Sequence, residues 1–249
     1  GKGIITEQLV NKCKKVYAIE YDPYLFKMLK RAFLYTGNVD IIYGDFLEYT
    51  LPKDHKYKVF SSIPYNITAA ILSKLTSAYN PPEDAYIILQ EEAARKYAGN
   101  PYNRESMRSL LLKPYFDFTI IRKLKNTDFT PVPKVESVLL HIEKREHALI
   151  KAKEADLYRD FISYIFSRSG NVKDRCKNIF SYKQLKRLSS DIGFRIIDSP
   201  GYLSFQQWLK VFQYFTTGVS DKKRRLVCNS YSKLLKDQKK IKKLHRNRK

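Results

Sequence analysis

The first hundred residues alternate between short β-forming runs and longer segments with helical spacing. The β-rich runs lie at residues 16–20, 39–43, 57–62 and 86–90. After the first run, apolar residues recur at the spacing of one helix face, and a second helical segment follows the fourth run at residues 91–98. Strands that alternate with helices are typical of a parallel sheet with crossover helices.

The pattern changes after residue 98. Residues 116–124 and 137–142 predict two antiparallel strands that complete the sheet, and they flank a loop that contains Phe129 and two prolines. A chain of 249 residues can bury one large core and a smaller appended one.

Helical spacing takes over from about residue 149 onward. Segments at 157–166, 179–188 and 205–215 predict helices, and the last presents one aromatic face made of Phe205, Trp208, Leu209, Phe212 and Phe215. We interpret this face as core packing rather than a binding platform. The sequence therefore predicts an α/β domain at 1–147, a small all-helical domain at 148–220 and a basic tail at 221–249.

The charge is strongly positive and concentrated at the carboxyl end. The net charge is +22, and residues 222–249 contain thirteen Lys or Arg but one acid, Asp237. Such a surplus indicates a polyanionic partner, and we favour nucleic acid over a membrane because no apolar run is long enough to span a bilayer. We expect a tail that is disordered or a frayed helix until it meets phosphate. The alternative is a solvated tail without a role.

Several kinds of site have no support in the sequence. The three cysteines and four histidines show no metal-ligand or disulfide spacing, and no Gly-Lys-Ser/Thr loop is present. We therefore expect no metal and a reducing cytoplasmic location. Because the chain begins Gly1-Lys2-Gly3 without a methionine or a signal pattern, we expect it to start inside a longer sequence.

The third β-rich run ends in Ser62-Ile63-Pro64-Tyr65. At the carboxyl end of a parallel strand, where open α/β sheets bind ligands, these residues offer a hydroxyl, carbonyls and one π face for a planar base. The alternative is an ordinary strand-to-helix turn in which Pro64 fixes φ and Asn66 or Thr68 caps the next helix.

Two acids follow the other strands. Glu20 closes the first run, about 20 residues after the Gly1 and Gly3 loop, where a carboxylate can accept both hydroxyls of a ribose. Asp45 follows the second run and can accept from an adenine amino group. Each residue has an ordinary alternative as a turn glycine or helix cap, but their order at successive strand ends predicts a nucleoside ligand.

This order of motifs resembles the S-adenosylmethionine-dependent rRNA adenine N6-methyltransferases, which include small-subunit dimethyladenosine synthases and erythromycin-resistance (Erm) enzymes. Residues 1–3 are similar to the end of the family's Glu-x-Gly-x-Gly-x-Gly loop, and residues 62–65 to its Asn-(Ile/Leu)-Pro-(Tyr/Phe) motif. Residues 129–135 are similar to its Phe-x-Pro-x-Pro-x-Val loop. The resemblance spans nearly the whole chain and implies a Rossmann-like sheet whose N-terminal strand is missing here.

The resemblance also implies a role for each matching residue. Tyr65 and Phe129 would flank the target base, and the catalytic set would be Ser62, Ile63, Pro64, Tyr65 and Phe129. S-adenosylmethionine would be held by Gly1, Gly3, Glu20, Tyr21, Asp45, Phe46 and Ser62.

The compact helical region and the segment 203–212 are most similar to the Erm branch. That similarity implies a monomer that methylates one adenosine of 23S rRNA and confers resistance to macrolides, lincosamides and streptogramin B. Ser62 departs from the family's Asn, but its hydroxyl can still accept a hydrogen bond, so we expect slower methylation or a single methylation. The alternatives are a small-subunit rRNA dimethyltransferase and an RNA-binding relative with weakened catalysis.

Overall fold

The computed structural model describes residues 1–130 and 132–246, with side chains as far as Gln238. Pro131, which belongs to the predicted Phe129 loop, and residues 247–249 of the tail lie outside the described residues. The strands are β1 (Val16–Glu20), β2 (Val39–Tyr43), β3 (Lys58–Ser62), β4 (Asp84–Gln90), β5 (Phe116–Leu124) and β6 (Ser137–Lys144). The α-helices are α1 (Ile4–Val10), α2 (Pro23–Ala32), α3 (Thr68–Thr76), α4 (Glu91–Ala98), α5 (Met107–Leu112), α6 (Ala155–Phe166), α7 (Val172–Cys176), α8 (Tyr182–Ile192), α9 (Phe205–Gly218), α10 (Asp221–Arg224) and α11 (Ser230–Arg246).

The strands form two hydrogen-bonded sheets. In the first sheet β1 and β2 pair in parallel. The second sheet has the order β3-β4-β6-β5, in which β3 and β4 are parallel and β4 and β6 are antiparallel. The predicted strands are confirmed, but one continuous sheet was expected. No hydrogen-bonded pairing joins β1 or β2 to the other four strands, so the described residues form two separate sheets.

Local capping and burial explain where these elements lie. α2 begins at Pro23 because the Asp22 carboxylate accepts from the Leu25 N–H at 2.8 Å, which makes Asp22 the helix cap. β4 alternates between half-buried and fully buried positions, and Ala85, Ile87 and Leu89 point into the core. β4 pairs with β3 on one side and with β6 on the other, so it is one of the two inner strands of its sheet.

The chain packs as two compact units. One contains residues 1–91 and 121–144, and the other contains residues 92–120 and 145 onward. Residues 92–120 therefore pack with the helices, where the Tyr158 hydroxyl donates to the Leu110 carbonyl at 2.9 Å. These packing units differ from the division at 147 and 220, which stays a prediction about domains.

Aromatic side chains fill the core of the helical unit. The predicted aromatic face on α9 is buried, with Trp208 and Phe215 at 0% exposure, so its interpretation as core packing is confirmed. The Trp208 indole donates to the Pro200 carbonyl at 3.1 Å, and the rings of Phe161 and Phe215 lie 4.8 Å apart. α8 starts at Tyr182 rather than at residue 179, because Ser181 caps it.

The beginning of the basic tail is folded, which corrects the expectation of disorder or fraying. The Asp160 carboxylate on α6 accepts from the backbone N–H groups of Asn229 at 2.8 Å and Tyr231 at 2.9 Å. Val227 is fully buried in the helical core. Composition suggested disorder, but these contacts attach residues 221–238 to the helical unit. Among the described residues, none of the helices combines the length and the hydropathy that a bilayer-spanning segment requires.

Candidate active site

The glycine loop and the first acid lie together. Gly3 precedes α1 with a φ of +86°, and a Cβ at this position would lie 2.6 Å from Leu29 Cδ2, so both conformation and space favour glycine. The backbone nitrogen of Gly1 lies within hydrogen-bonding distance of one oxygen of Glu20. The other oxygen of Glu20 accepts from the Asp22 N–H at 2.9 Å. The loop backbone therefore borders a largely buried carboxylate at the end of β1.

The second acid lies at the neighbouring strand end. Glu20 is opposite Tyr43 in the parallel ladder, and its carbonyl accepts from the Gly44 N–H at 3.0 Å. Asp45 Oδ1 accepts from the Leu47 N–H at 2.8 Å, which forms a turn rather than a helix start. Within the described residues, Asp45 Oδ2 has no hydrogen-bond partner. It can therefore accept from a ligand without disturbing that turn.

Tyr21 and Phe46 flank these acids in the sequence. Tyr21 is exposed, whereas Phe46 is half-buried with the Lys74 ammonium 5.5 Å from the centre of its ring. Lys74 Nζ also donates to the Leu47 carbonyl at 2.7 Å and to the Tyr49 carbonyl at 2.5 Å. Lys74 on α3 therefore holds the loop that carries Asp45 and Phe46, a role for which the sequence contains no local signal.

The turn after β3 places its polar groups in the open. Ser62 is exposed, and its hydroxyl has no partner among the described residues. Ile63 is buried, and its N–H donates to the Ile88 carbonyl at 3.1 Å, which fixes the turn against β4. The Ile63 carbonyl, likewise, has no partner in the described part of the chain. Pro64 then leads into a 3-10 turn that begins at Tyr65.

Tyr65 is partly exposed and fixed at its hydroxyl. The residue is 38% exposed, and its hydroxyl lies 2.9 Å from Ser137 Oγ at the start of β6. The residue before α3 is Ile67, with no side-chain cap, so neither Asn66 nor Thr68 caps the helix. The simple capping alternative therefore does not explain this turn. Ser137 was predicted only as the first residue of a strand.

Phe129 lies beyond β5, at the end of the short 3-10 turn Asn126–Asp128. The side chain is half-buried, and its N–H donates to the Asn126 carbonyl at 3.3 Å. No ring stacking or hydrogen bond between Phe129 and Tyr65 is present among the described residues. Their predicted placement on the two faces of one base therefore stays a prediction.

The residues present fit a nucleoside cofactor. A glycine loop borders the Glu20 carboxylate, Asp45 keeps one oxygen available on the next strand, and Lys74 connects this region to the helix that follows the Ser62–Tyr65 turn. Among the described residues, no three His, Cys, Asp or Glu side chains form a group that could bind a metal. The arrangement supplies hydrogen-bond acceptors and aromatic rings, which are the groups needed to hold a cofactor next to an amine.

Known proteins resemble this chain over most of its length. The family model for ribosomal RNA adenine dimethylase matches residues 1–217, so the basic tail lies beyond the match. An rRNA adenine N-6-methyltransferase of Lysinibacillus sphaericus is 33% identical over 215 residues, which cover 86% of this chain and 82% of the relative.

Two solved structures share the fold. The 23S rRNA methyltransferase ErmE has a TM-score of 0.81 and 26% identity, covering 87% of this chain and 88% of that one. A dimethyladenosine transferase from Plasmodium falciparum has a TM-score of 0.65 at 20% identity, covering 88% of each chain. The resemblance, the methyltransferase fold and the prediction of an enzyme of this class are confirmed. The chain belongs to the ribosomal RNA adenine dimethylase family.

Proposed function

We propose that the protein transfers methyl groups from S-adenosylmethionine to N6 of one adenosine in 23S rRNA, and thereby confers resistance to macrolides, lincosamides and streptogramin B. The observation that carries the chemistry is the turn after β3, where the Ser62 hydroxyl and the Ile63 carbonyl lack partners in the described structure beside the exposed Tyr65 ring. Similarity to ErmE supports 23S rRNA as the substrate.

Each part of the glycine loop and the two acids suits one part of the cofactor. The backbone around Gly1 and Gly3 can approach the cofactor closely, Glu20 would accept its ribose hydroxyls and Asp45 Oδ2 its adenine amine. Tyr21 and Phe46 would border the adenine ring. When bound, S-adenosylmethionine supplies a methyl group on an electron-poor sulfonium, which needs no further activation.

The turn after β3 would orient the target amine. The Ser62 hydroxyl and the Ile63 carbonyl would accept hydrogen bonds from the two N6–H groups, so that the nitrogen lone pair points at the methyl group. The methyl group would pass to N6 as its bond to sulfur breaks, with that electron pair left on sulfur, and N6 would lose a proton to water. Tyr65 would stack on the extruded adenine, with Phe129 near its other face. Positioning accounts for most of the catalysis in this scheme.

The charge distribution suits an RNA substrate. The net charge of +22 favours binding to phosphates, and the tail adds to it beyond the part that matches the family. Because Asp160 attaches the start of the tail to α6, the basic segment leaves the helical unit from a fixed point.

The substrate is tested by incubating the full chain with S-[methyl-³H]adenosylmethionine and protein-free 23S or 16S rRNA. We expect label in 23S rRNA at a single adenosine. Label in 16S rRNA would replace this proposal with the small-subunit activity. Tight RNA binding without label in either would indicate a relative that has lost catalysis.

Two substitutions test the division of roles. Tyr65→Ala should abolish methyl transfer with little loss of cofactor affinity, whereas Asp45→Ala should weaken cofactor binding measured by calorimetry. Tyr35→Ala is the matched control, because Tyr35 is 97% exposed and lies outside the proposed site. The reverse pattern for the first two variants would contradict the assignment.

A further inference from the structure

We propose that Ser137 is a positioning residue that holds the Tyr65 ring in place for the target base, a role that rests on the proposed methyl transfer. The two hydroxyl oxygens lie 2.9 Å apart, although the residues are 72 positions apart in the chain. Ser137 is completely buried, whereas 38% of Tyr65 is exposed. One end of the contact is therefore fixed in the core, and the other end carries the ring that faces solvent.

The strand register explains how the contact crosses the sheet edge. Ser62 pairs with Ile88 of β4, and Ser137 of β6 pairs with Gln90, the last residue of β4. β3 and β6 thus lie on opposite sides of β4. The Tyr65 hydroxyl reaches across the carboxyl end of β4 to meet Ser137, so the bond connects the turn after β3 with the beginning of β6.

The position of Ser137 is itself well determined. The preceding residue, Glu136, accepts from the Glu91 N–H through its carbonyl at 2.9 Å. The Lys123 ammonium forms ion pairs with the Glu136 carboxylate at 2.7 Å and the Glu91 carboxylate at 3.3 Å. These contacts join the ends of β4, β5 and β6 next to the serine, and the complete burial of Ser137 limits the movement of its hydroxyl.

The consequence for the site is a preorganised aromatic ring. The backbone of Tyr65 is fixed by the 3-10 turn, in which the Ile67 N–H donates to the Pro64 carbonyl at 3.2 Å. Because Ser137 holds the opposite end of the side chain, the ring plane is set before a base arrives, and less rotamer freedom is lost on stacking.

A double-mutant cycle tests this role in the full-length protein. Ser137→Ala and Tyr65→Phe each remove one hydroxyl and leave the ring and strand intact. We expect each to lower kcat on rRNA by roughly 2- to 10-fold, the range for loss of one neutral hydrogen bond, with KM for S-adenosylmethionine unchanged. Because both remove the same bond, the double variant should be no slower than the slower single variant.

Ser163→Ala is the matched control. Ser163 lies on α6, is equally buried, and its hydroxyl has no hydrogen-bond partner in the described part of the chain. Its removal should leave kcat unchanged, and the melting temperatures of all variants report on folding.

Three outcomes separate this inference from the proposed function. Methylation by the wild type with a non-additive cycle supports the positioning role. Methylation with additive effects, or with a Ser137→Ala variant as fast as the wild type, overturns the role and leaves the proposed function standing. No methylation of rRNA by the wild type overturns both.

Discussion

Replacing Lys74 with methionine should weaken S-adenosylmethionine binding although Lys74 is not expected to touch the cofactor. Its ammonium donates to the carbonyls of Leu47 and Tyr49 and lies 5.5 Å from the centre of the Phe46 ring. Methionine keeps the length and packing of the side chain but removes all three donors. The loop that presents Asp45 and Phe46 then loses its connection to α3.

The expected size of the effect follows from these bonds. Hydrogen bonds with a charged partner contribute about 1.5–3 kcal/mol each in favourable settings. The ammonium of Lys74 is only half-buried, so we take the lower figure, about 1.5 kcal/mol, for the pair together. If the loop must be ordered for binding, this loss corresponds to a roughly tenfold higher Kd.

Calorimetric titration of S-adenosylmethionine into the Lys74→Met protein measures this change. Hydrogen exchange of the amides at 47–49 provides a second readout that does not depend on the cofactor, and we expect faster exchange there. Lys53→Met is the control, because Lys53 is exposed in the same loop and has no partner among the described residues. Equal Kd values for Lys74→Met and the wild type would refute the role of Lys74.

Three further predictions concern the tail and stability. Removing residues 239–249, which contain seven Lys or Arg, should lower the affinity for RNA and make it less dependent on salt, as measured by fluorescence anisotropy. An unchanged slope of log affinity against log salt concentration would show that these charges do not contact RNA. Lys113→Met leaves the fully buried Glu105 carboxylate without its cation. We therefore expect the free energy of unfolding to decrease by about 3–5 kcal/mol and the Tm to decrease by roughly 6–20 °C. A decrease in Tm of less than about 3 °C would contradict this role. A hydrogen bond from Lys58, followed by one from His141 on β6, lowers the pKa of Asp84. The Asp84 carboxylate therefore stabilises the fold above about pH 4, and this contribution is lost as the pH falls through the pKa of the folded state. Asp84→Asn should therefore flatten the acid side of the stability profile, and parallel profiles would disprove the coupling.

Local patterns in the sequence were sufficient for most of the elements. β1, β2 and β5 have the bounds that their apolar runs predicted, and α4 follows β4 as its spacing indicated. These boundaries depend on neighbouring residues, since apolar periodicity and capping act over three or four positions.

The proximity of the glycine loop, Glu20 and the Asp45 turn was also predictable. Their side chains come from separate elements, but the carboxyl ends of adjacent parallel strands meet at one edge of a sheet. The order of the residues along the chain therefore carried information about their positions in space. The Phe129 loop follows β5, which was predicted as an antiparallel strand. The rule for adjacent parallel strands therefore did not determine the distance of Phe129 from Tyr65.

The amino-acid sequence by itself determined the strands and helices, the family motifs and the excess of positive charge. Only the tertiary structure decided that Lys74 holds the Asp45 loop, that Ser137 meets Tyr65 and that Asp160 attaches the basic tail. Each of these contacts joins residues 25 to 72 positions apart. The residues next to a lysine, a serine or an aspartate in the sequence do not indicate its distant hydrogen-bond partner, because that partner depends on which elements pack together.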